Sequence, residues 1–412
     1  MAAQSKSKFF YQDLPMHLIN IKTSYRVLCL VPILLSACGG GSGSVAATGT
    51  TTVRSAYVAN YGANNISQYT IDPTTGALTP KTTATVAAGI NPTSVVVDPS
   101  GKHAYVANSV DSFISQYTIG AGGGLVAMTP VQSGSAPGAG PISIAISGGY
   151  AYAANNTSIG DVTQFSIDPT TGVLTNLATV VAGINPVYVA VTPDPAVNKY
   201  AYVVNAGVPV CYAPVGTCVV VAPTISEYSI NSTTGALTLI ATATLGLGTA
   251  PASITVDSAG KFAYVANFGT PASVASTIEQ YSIASGILTP VASVGTSTLL
   301  SAATSIAIDP AGTHAYVANG SGVYQYSINN VNGLLSDIVT TPPVAPTIYA
   351  GGFTQRSIAI NEGKFVYMAN QGSDDISQFS IGPGGDLTII GSNLVGAANS
   401  QPYSITTAVS IQ

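Results

Sequence analysis

From Val53 onward the chain reads as short runs in which apolar and polar positions alternate, separated by clusters of turn-forming residues. Ile114-Ser115-Gln116-Tyr117-Thr118-Ile119 alternates at the period of a strand with one buried face. Thr93 to Val97 is rich in β-branched residues and stops at Asp98-Pro99-Ser100-Gly101, whose Pro and Gly suit a reversal. No long stretch carries the apolar stripe of an amphipathic helix, so the pattern predicts an all-β fold.

The runs recur. Ala104-Tyr105-Val106-Ala107-Asn108 has near copies ending at Asn60, Asn155, Asn205, Asn267, Asn319 and Asn370, with successive steps of 48, 47, 50, 62, 52 and 51 residues. A period near fifty marks a repeat architecture. The unit from Pro92 to Val131 holds four strands: Thr93–Val97, Ala104–Asn108, Ile114–Ile119 and a weaker one from Leu125. Four antiparallel strands per unit describe a propeller blade, the first being innermost because it alternates branched with small residues. The repeats start at Val53 directly in a second strand and finish at Pro402–Thr407 in an innermost strand. The last strand is therefore expected to complete the first blade, giving seven blades over residues 53–412 and no open edge.

Composition sharpens this picture. Hydrophobic residues make up 46% of the chain and charged ones 7%, with 43 Gly, 25 Pro and no Trp. Four of the eleven basic residues, Lys6, Lys8, Lys22 and Arg26, precede residue 38, which leaves seven basic against fifteen acidic residues beyond it. Such a chain has no basic track for phosphates, so nucleic acid is excluded as a partner.

Two resemblances follow from the quoted residues. Tyr-Val-Ala-Asn after Asp-Pro-Ser-Gly-Lys and before Ile-Ser-Gln-Tyr-Thr-Ile resembles the YVTN β-propeller repeat, and the whole of 53–412 is similar to the seven-bladed lactonase family that includes 6-phosphogluconolactonase. That resemblance implies a propeller with a lactone site at the channel, built from Arg, His and Glu. Separately, Lys22 and Arg26, the apolar run Val27–Leu35 and Leu35-Ser36-Ala37-Cys38 resemble the signal of a bacterial lipoprotein. It implies a signal peptide over 1–37, starting from Met1 or from Met16, then lipidation of Cys38 and a flexible tether over 38–52. Gly39 after the Cys is not the Asp that retains many lipoproteins in the inner membrane. The chain is accordingly expected at the outer membrane, periplasmic or surface-facing.

Candidate chemistry is sparse. Loops entering the innermost strands and loops joining second to third strands share one face, the expected ligand face. Arg356 is the one cation that enters there, while Arg54, Lys102, Lys199, Lys261 and Lys364 fall on the opposite face. Glu227 stands where the other blades carry Gln68, Gln116, Gln164, Gln280, Gln325 and Gln378; these Gln are expected to link neighbouring strands, and Glu227 is expected at the surface. Asp111, Asp161, Asp374 and Asp375 fall in ligand-face loops, without a calcium-loop pattern. His103 and His314 are expected as exposed turn residues of the far face. Arg356 and Glu227 are thus the weak catalytic candidates, and no metal or cofactor is called for. The 62-residue step holds an insertion between Asn205 and Ile225 with Cys211 and Cys218, expected to form a disulfide in an exported protein. With the catalytic Arg, His and Glu set incomplete, the sequence favours a lipid-anchored, monomeric binding scaffold for an envelope protein, peptide or glycan. Lactone hydrolysis is the alternative.

Overall fold

The structure, a computed structural model, describes residues 52–411 apart from 134–139, 158, 194–198, 208, 213–216, 246–249, 270–275, 292–301, 321, 339–353 and 396–398. Among the described residues seven antiparallel blade sheets, six of four strands and one of five, follow one another along the chain. Their innermost strands are Pro402–Ile411, Pro92–Val97, Gly140–Ser147, Pro186–Val191, Pro251–Val256, Ala303–Ile308 and Gln355–Asn361, in blades 1 to 7. Each innermost strand lies beside those of the two neighbouring blades, and the ring closes between blades 7 and 1. Closure is by the expected strand: Pro402–Ile411 pairs with Thr52–Asn60, Thr52 opposite Ile411 and Ser404 opposite Ala59. Blade 2 departs from regularity, its outer edge being split into Leu125–Ala127 and Val131–Gln132.

The repeated pentapeptide is the second strand of every blade, and its side chains are buried throughout. Its alternation sends Tyr and the second Ala to one side of the sheet and the first Ala and Val to the other. Small and large side chains therefore meet between blades. Tyr57, Ala59 and Ile66 of blade 1 pack with Val95, Ala104, Val106 and Tyr117 of blade 2.

Three hydrogen-bonded or packed belts run around the ring. In the first, the third-strand Gln accepts the N–H of the Leu that opens the next blade's outer strand: Leu125 to Gln68 (2.6 Å), Leu174 to Gln116 (2.7 Å), Leu237 to Gln164 (2.7 Å), Leu335 to Gln280 (2.9 Å), Leu387 to Gln325 (2.7 Å) and Leu78 to Gln378 (2.9 Å). Glu227 fills the seventh place and accepts Leu288 N–H at 3.2 Å. In the second, the motif Tyr donates its hydroxyl to a glycine carbonyl of the next blade, as from Tyr57 to Gly123 (2.7 Å) and from Tyr367 to Gly76 (2.7 Å). That glycine has a left-handed φ and lies under the residue preceding the motif; a Cβ on Gly172 would stand 2.1 Å from the His103 ring. In the third, the motif Asn donates to the third strand, as from Asn108 to Ser115 Oγ and from Asn370 to Ser377 Oγ.

The insertion in blade 4 forms a separate two-stranded hairpin, Pro209–Tyr212 with Thr217–Val220, in which Cys211 stands opposite Cys218. The side chains of both lie outside the described residues, as do Cys38, the signal segment and the tether up to residue 51.

Candidate active site at the channel mouth

The start of every innermost strand contributes to one cavity of about 270 Å³ at the axis of the ring. Six blades supply a residue pair in register, Thr93-Ser94, Ile142-Ser143, Val187-Tyr188, Thr304-Ser305, Arg356-Ser357 and Tyr403-Ser404, while blade 5 supplies Pro251 and Ala252, of which Ala252 holds the first place of the pair. The second members form a belt, because Ser Oγ accepts the N–H of the next residue round the ring. Val95 donates to Ser404 (3.2 Å), Ile144 to Ser94 (3.3 Å), Val189 to Ser143 (3.2 Å), Ile358 to Ser305 (3.3 Å) and Ile405 to Ser357 (3.3 Å). The serines thus stitch blade to blade while lining the cavity with hydroxyls. The belt breaks at blade 4, where Tyr188 stands in place of Ser, and at blade 5, where the buried Ser253 Oγ has no hydrogen-bond partner among the described residues.

Arg356 is the one charged side chain among the described residues lining this cavity. Its Nε donates to Gln371 Oε1 at 2.6 Å. Its guanidinium lies 5.0 Å above the centre of the Tyr403 ring, which itself stacks on Tyr61 with centroids 5.5 Å apart and planes at 28°. These contacts orient the side chain by stacking and cation–π attraction. Neither Nη group has a carboxylate partner among the described residues, so the expected candidate is an uncompensated cation held over a hydroxyl-lined cup.

The other candidates are placed elsewhere. Glu227, expected at the surface, is 1% exposed between the outer parts of blades 4 and 5. Burial raises its pKa. The pattern of six Gln and one Glu revealed the shared position, but not its depth. Asp111 accepts the Ile90 N–H and lines a different groove of about 450 Å³ beside Phe113 and Met128. Asp161 and Asp375 are buried at the starts of third strands, where Asn155 and Asn370 donate to them, and burial raises the pKa of Asp375. Asp374 accepts Asn399 and Gln401 N–H at 2.6 Å each and so fixes the approach to the closing strand. All four are fasteners of loops and strands; none of them lines the axial cavity.

The histidines also differ from expectation. His103 is buried and His314 half-buried, each 3.0 Å from an aspartate of its own turn, Asp98 and Asp309. Their rings cover Gly172 and Gly385 of the next blade, which is why they are withdrawn from solvent. Tyr188, Tyr403 and Gln371 escaped the sequence reading. The one available signal was Tyr188 itself, an aromatic residue at a position that is Ser in the other blades.

The sequence profile of a family described as "Lactonase, 7-bladed beta-propeller" matches residues 46–194, 151–296 and 275–402. No curated protein matches the chain. Among solved structures it is similar to the periplasmic gluconolactonase of Pseudomonas aeruginosa, at 17% identity, TM-score 0.66, and coverage of 87% of this chain and 99% of that one. It is also similar to a protein from Lactobacillus plantarum, at 18% identity, TM-score 0.66, with 87% and 99% covered. A third is a candidate 6-phosphogluconolactonase from Bacteroides fragilis, at 19% identity, TM-score 0.64, with 86% and 98% covered. At these identities the structural likeness concerns the fold.

Proposed function

The chain belongs to the lactonase family of seven-bladed β-propellers, and on that premise we propose that it hydrolyses a small unphosphorylated lactone at the mouth of its central channel. The observation that carries this reading is Arg356, a stacked and oriented cation without a carboxylate partner among the described residues, in a cavity otherwise lined by hydroxyls and apolar groups. Its two Nη groups suit a lactone carbonyl, and better the oxyanion that forms when water adds to it. The acyl C–O bond then breaks, the ring oxygen leaves as a hydroxyl group, and the carboxylic acid so formed releases a proton to solvent. Serines of the belt offer donors and acceptors for substrate hydroxyl groups. A phosphorylated sugar lactone calls for a second cation at its phosphate, and no other charged residue among those described lines the cavity.

No carboxylate or imidazole among the described residues lines the cavity either. The chemistry assigned to the protein is therefore positioning and oxyanion stabilisation, with water and hydroxide from solvent as nucleophile. The same gap made a non-catalytic envelope scaffold attractive from sequence. The family membership supports the hydrolytic reading, and one experiment decides between them. D-glucono-δ-lactone and its 6-phosphate would be offered to the propeller and to Arg356→Ala, with spontaneous hydrolysis subtracted. Expected is turnover of the unphosphorylated lactone that rises with pH without a carboxylate- or imidazole-like inflection. In Arg356→Ala kcat/KM should fall by about 10²–10³. Wild-type protein that adds nothing to the spontaneous rate would return the scaffold reading.

A further inference from the structure

The wall of the mouth cavity differs from one side to the other. Blades 6, 7, 1 and 2 each bring a belt serine to it, and blade 7 adds Arg356. On blades 4 and 5 no serine or threonine among the described residues lines it; the wall there is Val187, Tyr188, Ala250, Pro251, Ala252 and Phe268. The Tyr188 phenol is the one side-chain hydroxyl of this arc among the described residues. Val187 and Tyr188 are half-buried, because they also pack on the seam between blades 4 and 5. Phe268 belongs to neither of the clusters that flank blade 5, and it is 37% exposed.

The backbone of Phe268 is nevertheless held at both ends. Its N–H donates to the Ala250 carbonyl at 2.9 Å, and the buried Ser276 hydroxyl donates to its carbonyl at 2.6 Å. Phe268 directly follows the motif Asn of its blade. The same place is Gln371 in blade 7, which accepts from Arg356, and Tyr61 in blade 1, which stacks on Tyr403. Two of these places thus orient the cation, directly or through Tyr403, and the third presents an aromatic ring to the same cavity.

We propose that Phe268 is a specificity-determining residue, and that the lactone this mouth selects carries an apolar substituent, aromatic by preference, on the side of its ring away from the carbonyl. The proposal rests on the lactone reading and names its substrate class. With the carbonyl at Arg356 on blade 7, the rest of the ligand extends across the cavity toward the arc of blades 4 and 5. Hydroxyl groups are served in the serine half of the mouth; against Val187, Pro251, Ala252 and Phe268 they would give up water without compensation. A phenyl group placed there leaves water and meets the Phe268 ring, an aromatic contact that adds to burial. Half-burial of a phenyl group is worth about tenfold in affinity.

The test compares δ-valerolactone with γ-phenyl-δ-valerolactone, whose phenyl group stands across the ring from the carbonyl carbon while the ester is unchanged. Turnover is measured on wild type, Phe268→Ala and Phe268→Tyr. Calorimetric binding is measured on the same proteins with the ring-opened acids, 5-hydroxypentanoate and 5-hydroxy-4-phenylpentanoate. In wild type and Phe268→Tyr the kcat/KM of the phenyl lactone should exceed that of the plain one about tenfold. In Phe268→Ala that ratio should fall toward one, through KM and not kcat. A wild-type ratio near one, or a ratio unchanged in Phe268→Ala, overturns the role of Phe268 and leaves the hydrolase reading standing. Turnover by no protein, with a preference for the phenyl acid that Phe268→Ala loses, removes the hydrolase reading and keeps the apolar arc. Binding of neither acid by a wild type that also lacks turnover overturns both.

Discussion

Glu227 shows what a single atom changes within a repeated device. Gln68 and Gln116 each use both ends of the amide: the oxygen accepts a leucine N–H from the next blade, and Nε2 donates to Thr83 and Thr129 carbonyls of their own blades, at 2.9 and 2.6 Å. An ionised Glu227 keeps the first bond and loses the second, with a charge withdrawn from water. Desolvation therefore raises its pKa. The neighbouring Tyr202 adds to the local misfit, since its buried hydroxyl has no hydrogen-bond partner among the described residues. The turn it should reach is shortened in blade 5, where the strand ending at Ala284 is followed by the one starting at Ile287. A carboxyl with a raised folded pKa contributes its stability fully below the unfolded value of about 4.3, and that contribution is lost as pH rises through the folded value. Glu227→Gln should thus stabilise the propeller by about 1 kcal/mol at neutral pH, the gain shrinking toward pH 4. Thermal melts at the two pH values check this; a variant less stable than wild type at neutral pH would show that the carboxylate is needed in its ionised form.

At the scale of elements, strands were legible because burial on one face writes period two into the sequence, and the motif Asn residues timed the blades. The closing strand was legible for the same reason: Pro402–Thr407 carries the innermost-strand pattern. What sequence spacing did not expose was the direction of side chains across blade seams. His103 reads as a polar turn residue, yet its ring is committed to covering Gly172, and Glu227 reads as polar yet belongs to a buried belt. The site was legible in one residue, Arg356; its supports are Gln371, in the turn after the second strand of blade 7, and Tyr403, in the closing strand, which only tertiary register brings together. The blade 4 hairpin adds a prediction of its own. Directly opposed residues of an antiparallel pair have Cα atoms roughly 4.5–5.5 Å apart, inside the span a disulfide accepts. Cys211 and Cys218 hold such a register. Oxidised protein should show both thiols blocked to alkylation until reduction. The bond should contribute about 2.5 kcal/mol to the hairpin's order on the loop-entropy view. Free thiols in protein taken from an oxidising compartment would refute the pairing.

For the molecule as a whole, the ring leaves no unpaired sheet edge between its first and last strands, so its stability is shared among seven seams of similar construction. Its charge bears on where it works. Beyond residue 38 acidic residues outnumber basic ones by fifteen to seven, which repels an anionic lipid surface, and no helix among the described residues is long and apolar enough to cross a membrane. We propose that membrane attachment, if the chain is exported as its first 38 residues suggest, comes from acyl chains on Cys38. The propeller's own surface gives it no electrostatic help. A lipid anchor is additive in buried methylenes, and several chains together hold firmly where one does not. Cys38→Ser should therefore move the protein wholly from the membrane to the soluble fraction. Incorporation of a labelled fatty acid should disappear with the same substitution, and the lactone turnover of the released propeller should stay as it was. Protein that still sediments with membranes after Cys38→Ser, without incorporated fatty acid, would place the attachment on the propeller itself and overturn the anchor.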